Sequence, residues 1–149
     1  MSIPRGSIVV SYTGEDGKGY FEPDAQVGID SLPGGATIRR VSNIPKVPIP
    51  SVKIGGEQAN LSVTNDEGVT FVECEMAPGQ LSPMHATPSI DFGVMITGEI
   101  WLILDSGEEK VLKPGDIYIQ KAANHAWENR TSEPARFATI LIAARAAQA

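Results

Sequence analysis

Cysteine is all but missing from this chain of 149 residues: Cys74 stands alone, so no internal disulfide can form. Its place in an alternating strand pattern predicts a buried, inert thiol rather than a reactive one. Aromatic residues make up only 6%, and there are two histidines, His85 and His125, to carry any imidazole chemistry. Cationic clusters are also lacking. Twelve Lys and Arg face 18 Asp and Glu, a formal net charge of -6, and nowhere do they build a stripe that could track phosphates, so nucleic acid is not an expected partner. Long apolar runs are absent too. The stretch from Met1 to Val10, interrupted by Pro4 and Arg5, is too short for a signal-peptide core and far too short to span a bilayer, which predicts a cytoplasmic protein with no membrane partner.

What the chain does have is the length of one domain and a hydrophobic fraction of 42%, enough for a single buried core. Turn signals recur at short intervals, among them Pro33-Gly34-Gly35, Pro78-Gly79, Thr97-Gly98, Ser106-Gly107 and Pro114-Gly115. Between them lie runs rich in Val, Ile, Thr and aromatics, the mark of an all-β sandwich or barrel. The clearest strands are Ser7 to Tyr12, Thr37 to Val41, Val69 to Met76, Ile90 to Ile96, Ile100 to Leu104, Ile117 to Gln120 and Phe137 to Ile142. The segment Val41 to Val52, with Pro45, Pro48 and Pro50, cannot donate a full hydrogen-bond ladder and reads as an extended connector or edge. Glu73 and Glu75 read as a solvated sheet face, Glu108-Glu109-Lys110 as a hairpin tip, and the alanine-rich tail after Ala143 as one turn of helix at most.

The densest pattern lies between Gly79 and Asn129. Gly79 is followed by five residues to His85, one to Thr87, three to Asp91 and six to Gly98, and a second part runs from Gly115 to His125 and on to Asn129. This resembles the two-part signature of the cupin superfamily, whose first part reads Gly, His, His, Glu, Gly and whose second reads Gly, Pro, Gly, His, Asn. Thr87 stands where the second histidine is expected and Asp91 where the glutamate is. The Gly115 to His125 interval is one residue short, and the Pro and Gly before the last histidine are missing. The resemblance implies a single cupin-type β-barrel, a double-stranded β-helix or jelly roll. Residues 61–145 would form the barrel core, with residues 1–60 adding N-terminal strands and the Pro-rich arm to the same domain. It also implies a homodimer, since such an arm often crosses to a partner subunit in small cupins.

Side chains alternate along a strand, so His85, Thr87, Ser89 and Asp91 share one face if the strand is unbroken, opposite Ile90, Phe92, Val94 and Ile96. In a cupin-like barrel the polar face points inward, where unpartnered polar groups are costly and call for a ligand, a metal or ordered water. Carried over by resemblance, the catalytic and metal-holding residues are His85, Asp91 and His125. The substrate pocket would be lined by Thr87, Ser89, Met95 and Trp127, although plain core packing explains Trp127 equally well. Two imidazoles and a carboxylate suit divalent Zn, Fe, Mn or Ni and leave positions open for substrate. Asp91 is one methylene shorter than glutamate, and the Thr87 hydroxyl is a poor replacement for imidazole. A second possibility, behind the metal-holding one, is that the same residues work without a metal as an acid-base set.

The leading expectation is a small-molecule enzyme that moves protons with metal assistance on an oxygenated organic compound: a lyase, dehydratase, decarboxylase or isomerase. The motif region, with Met84-His85 and His125-Ala126-Trp127, also resembles cupins found beside biosynthetic enzymes of secondary metabolism. Two other readings stay open, a non-haem iron dioxygenase using the same ligand set and a non-catalytic small-molecule-binding barrel. No Ser-His-Asp triad is available, because the pattern already uses both histidines.

Overall fold

The computed structural model describes residues 11–13, 19–21, 28–44, 46–47, 64 and 66–145. They form eleven strands and no helix: β1 (Ser11–Thr13), β2 (Gly19–Phe21), β3 (Ile29–Ser31), β4 (Thr37–Ile44), β5 (Val69–Met76), β6 (Ser89–Thr97), β7 (Ile100–Leu104), β8 (Glu109–Leu112), β9 (Ile117–Lys121), β10 (His125–Glu128) and β11 (Ala135–Ala143). Strands β3-β4-β5-β11-β6-β9 make one antiparallel sheet, and β10-β7-β8 make a second; β1 and β2 pair with each other. No helix among the described residues is long and apolar enough to cross a membrane.

The inner face of the large sheet is built in layers by register. One layer across β5, β11, β6 and β9 joins Thr70, Leu141, Asp91 and Gln120; the next joins Val72, Thr139, Gly93 and Tyr118; a third, across β4, β5, β11 and β6, joins Ile38, Cys74, Phe137 and Met95. The third layer continues into the core, where Met76, Ile100, Trp127 and Ala135 close around it. Burying each large side chain there contributes roughly 1.5–3 kcal/mol. Cys74 is buried in this cluster, as expected.

The hairpin from β6 to β7 turns on Gly98, which has a φ of 73°. A Cβ there would meet the Pro134 carbonyl oxygen at 2.5 Å, so both the left-handed backbone and the close approach require glycine.

Several expectations need correction. The first four residues of the Pro-rich stretch belong to β4, an interior strand between β3 and β5; Pro45 and residues 48–63 lie outside the described residues, as do Ser7 to Val10 and the tail after Arg145. The hairpin tip lies at Asp105-Ser106-Gly107, and Glu109-Lys110 already open β8, paired with β7. Glu73 and Glu75 do not face open water. Glu75 accepts from Arg136 at 2.7 Å and Glu73 from Arg39 at 3.1 Å, a cross-strand charge ladder on the sheet's outer side. Strands β2, β3, β8 and β10 were not foreseen, being short or interrupted by polar residues.

Beside that ladder the outer face of β11, β6 and β9 is apolar. Ile140, Phe92 and Ile119 lie in one row, with Val94 and Ile117 in the next, and all five are exposed.

Candidate functional site

The first part of the motif does not lie on one continuous strand. β6 begins only at Ser89, after Pro88, while the preceding segment crosses to β10 and pairs there through Leu81 with Glu128 and His85 with His125. His85 and His125 exchange both backbone hydrogen bonds at 2.8 Å, which sets their imidazoles side by side with centroids 4.4 Å apart. Asn129, fully buried, anchors this crossing: its backbone bonds Gly79 and Gln80, and its amide nitrogen donates to the Met76 and Glu133 carbonyls.

Each imidazole is held in one tautomer. His85 Nδ1 lies 2.7 Å from the Pro83 carbonyl and His125 Nδ1 2.8 Å from the Ala123 carbonyl. A carbonyl only accepts, so Nδ1 carries the proton in both rings and Nε2 presents a lone pair. His125 is buried, whereas His85 is exposed at the barrel mouth. Burial pushes the His125 pKa below its ordinary value, the Ala123 hydrogen bond opposes this, and the charge of His85 adds to the lowering.

The loop that delivers His125 contains Ala122 at a φ of 51°, the one non-glycine residue with positive φ among the described residues. Alanine is strained in this conformation. The strained turn lies next to Ala123, whose carbonyl orients the ring.

Asp91 is buried on β6 and accepts a 2.5 Å hydrogen bond from the Ser89 hydroxyl, whose oxygen in turn accepts from Thr87 at 2.9 Å. Thr87, Ser89 and Asp91 thus form a relay from the mouth inward. Desolvation raises the Asp91 pKa, and the Ser89 bond and the charge of His85 pull the other way.

Of the expected pocket residues, Thr87 and Ser89 belong to this relay. Trp127 serves two purposes: it packs in the core against Phe137 and sets its edge toward His125, with centroids 5.8 Å apart. Met95 is a core residue rather than a pocket lining. It lies four residues beyond Asp91 on the same face, about 13 Å further along the strand, among Phe137, Met76 and Ile100.

Two residues at the site were not expected there. Gln120 is buried opposite Asp91, with its amide against His125, and Tyr118 is buried beside it, its hydroxyl pKa raised by desolvation. Tyr118 enters the barrel because Gly93 faces it; a Cβ at position 93 would fall 2.0 Å from the ring's Cζ. The signal was weak, since Ile117 and Ile119 are the apolar half of that alternation and yet face outward, 75% and 57% exposed.

As a donor set for a divalent metal, the Nε2 lone pair of His85 fits well, because that ring's other nitrogen is held by a carbonyl, whereas His125 Nε2 already has the Gln120 amide nitrogen 3.0 Å away. The buried Gln120 Oε1 has no hydrogen-bond partner and adds an unclaimed acceptor. Among the described residues, no three His, Cys, Asp or Glu side chains converge into a metal-binding group.

A family model described as a cupin domain matches residues 72–142. The chain is 53% identical over 57 residues to phomopsin biosynthesis cluster protein D of Diaporthe leptostromiformis, covering 38% of this chain and 30% of that protein. It is 44% identical over 71 residues to the cupin-domain-containing oxidoreductase fogC of Aspergillus ruber, covering 46% and 35%. It is 42% identical over 71 residues to the cupin-domain-containing oxidoreductase virC of Hypocrea virens, covering 46% and 37%. The matched segment thus spans only about a third of the length of these curated relatives. Among solved structures, the polyketide cyclase RemF from Streptomyces resistomycificus shares the fold at a TM-score of 0.57 and 17% identity, over 81% of this chain and 77% of that one. An RmlC-like cupin from Shewanella frigidimarina does so at 0.54 and 19%, over 80% and 86%.

Proposed function

Since this chain belongs to the cupin superfamily, we propose that it is a cytoplasmic enzyme of secondary metabolism that moves protons on an oxygenated small molecule, as a lyase, dehydratase, decarboxylase or isomerase. Membership in that metabolism is supported by the relatives named for biosynthesis clusters. The proton chemistry is carried by one observation: two imidazoles with Nδ1 pinned to carbonyls offer Nε2 lone pairs beside a buried carboxyl.

A divalent cation, if held here, would have the two imidazoles of His85 and His125 as its donors, since Asp91 does not converge with them into a three-residue group; when bound it would supply polarisation of a substrate oxygen and stabilisation of enolate charge. His125, kept neutral by burial, takes a proton at Nε2 while the Ala123 carbonyl fixes its ring. Asp91, its carboxyl raised by desolvation, holds or returns a proton, and Ser89 and Thr87 orient it. Trp127 closes the apolar side and excludes water.

A second reading, oxygen-dependent oxidation, is favoured by the relatives named oxidoreductases. Incubation of the protein in deuterium oxide with a panel of keto acids, hydroxy acids and phenolic ketones separates the two. Proton transfer predicts deuterium uptake at carbon, equal with and without air, and lost about 100-fold or more in His85→Ala and His125→Ala with the fold intact. Full exchange in both variants sinks the assignment, and turnover only in air establishes the oxidative reading.

The partner is a second copy of the chain, covering the apolar face of β11, β6 and β9. That face exposes on the order of 600 Å² of apolar surface, at the upper end for a monomer and near the roughly 800 Å² per partner of a standard interface. Light scattering should give a dimer, broken by Phe92→Lys with Ile119→Lys; a monomer at all concentrations ends the idea.

A further inference from the structure

Gln120 is 5% exposed and sits in the polar layer of the barrel, opposite Asp91 in the strand register. Its amide nitrogen lies 2.8 Å from His125 Nδ1 and 3.0 Å from Nε2. His125 Nδ1 spends its hydrogen on the Ala123 carbonyl, so the neutral ring offers the amide only electron-rich positions, the Nε2 lone pair and the ring face. An amide nitrogen is attracted to both, and an amide oxygen is repelled by both. The nitrogen therefore faces the ring, and the oxygen is left over, buried and without a hydrogen-bond partner among the described residues. A leucine would fill the same space without desolvating an acceptor. An acceptor kept there points to a ligand that donates to it.

The hydrogens of the neighbouring groups are already taken. His85 Nδ1 bonds the Pro83 carbonyl, Thr87 donates to Ser89, and Ser89 donates to Asp91. Among these groups, a proton carried by Asp91 is all that remains for a ligand oxygen, whereas the Gln120 oxygen and His85 Nε2 both accept. None of these side chains is a Lys or Arg. Lys121, next to Gln120 in the chain, is exposed on the opposite face of β9, and Lys110 is exposed on the edge strand β8, in the layer of Leu102 and Trp127. The small sheet adds an apolar wall: Leu104 pairs with His125 and Leu102 with Trp127 on its inner face, and both leucines are only half-buried, so the barrel is open at this end.

We infer that Gln120 sets substrate specificity at this site: its amide oxygen accepts the hydrogen of a substrate hydroxyl, and the substrate is an uncharged, hydroxyl-bearing ketone with an apolar body, not a carboxylate or a phosphate ester. The inference rests on the reading above that this end of the barrel receives a small oxygenated molecule, and it does not depend on a metal. An anionic ligand would bring further acceptors against Asp91 and the Gln120 oxygen, with no cation in the layer to offset them. A ketone without the hydroxyl would leave the Gln120 oxygen unpaired in the complex, the condition under which a site discriminates most strongly.

Three ketones of one shape test this: para-hydroxyacetophenone, acetophenone and para-acetylbenzoate, titrated into the full-length protein and its Gln120→Leu and Gln120→Glu variants, each checked for fold by circular dichroism. Binding is read from tryptophan fluorescence, and deuterium uptake at the methyl carbon is followed in the same samples. The parent should bind para-hydroxyacetophenone about 10-fold or more tighter than acetophenone, and para-acetylbenzoate least. Gln120→Leu should bring the two uncharged ketones within about 2-fold of each other. Gln120→Glu, which keeps an acceptor oxygen, should restore the preference, whereas a merely structural glutamine would affect all three ketones alike. A preference that survives Gln120→Leu, equal binding of the two uncharged ketones by the parent, or tightest binding of para-acetylbenzoate overturns the inference; deuterium uptake in those cases leaves the proton-transfer reading standing. A preference that depends on Gln120 without any deuterium uptake overturns the proton-transfer reading and keeps the recognition role. A parent that binds none of the three overturns both.

Discussion

The two ends of the barrel interior lie on the same strands and carry opposite chemistry. At one end β5, β11, β6 and β9 contribute Thr70, Leu141, Asp91 and Gln120, with His125 facing them from the smaller sheet; at the other end the interior is Ile38, Cys74, Phe137, Met95, Met76 and Ile100. Between them Tyr118 lies over Gly93. The apolar end gains from burial and holds the fold together. The polar end works against it, with a desolvated carboxyl, a desolvated imidazole and an amide oxygen that has no hydrogen-bond partner. Polar groups of this kind are tolerated in such a barrel because the other layers offset their cost.

The sharpest way to break this comparison is Phe137→Ala. Removing the ring that packs on both Trp127 and Met95 should cost about 3–5 kcal/mol in denaturant unfolding; a loss under about 1 kcal/mol would show that the apolar end is not what stabilises the barrel. Gly93→Ala tests the boundary. Its Cβ collides with the Tyr118 ring, so a loss of about 1–3 kcal/mol is expected, together with a changed near-ultraviolet signal from Tyr118 and Trp127. An unchanged melt and spectrum would mean that Tyr118 can leave the interior freely.

Asp91→Asn should have the smallest effect and the opposite sign, a gain in stability of the metal-free protein at pH 7. Because the folded pKa of Asp91 is raised, its favourable contribution is full below the ordinary 3.8 and is lost as pH rises through the folded value. The gain in the variant should therefore vanish below about pH 3.8. For His125, lowered when folded, stability is full above the ordinary 6.5 and is lost as pH falls through the depressed value. Thermal melts across pH check both, and a pH-independent difference between Asp91→Asn and its parent would refute the desolvation account.

Much of this was legible in the chain. Short β-rich runs between turn signals predicted an all-β barrel, and Val69 to Met76 and Ile100 to Leu104 form strands with those bounds. The spacing from Gly79 to Asn129 singled out His85, Asp91 and His125, and the expected inward polar face is present at Ser89 and Asp91. The glycine expected before the last histidine is missing, yet Ala122 keeps the left-handed backbone that glycine would take. Gln120 and Tyr118 were hidden because hydropathy argues for Ile117 and Ile119 as the inward pair, and Met95 was misplaced because alternation reports a face but not a depth.

Local patterning, then, determined the element types, the turns and the residue kinds available for chemistry, since propensity, period-two alternation and glycine's backbone freedom act within a few residues. Which face of β9 points inward, which end of the barrel is polar, and the meeting of Gln120 with His125 were decided only by tertiary structure. Those depend on register between strands far apart in the chain, where pairing of β6 with both β9 and β11 and the crossing of His85 onto β10 bring the groups together.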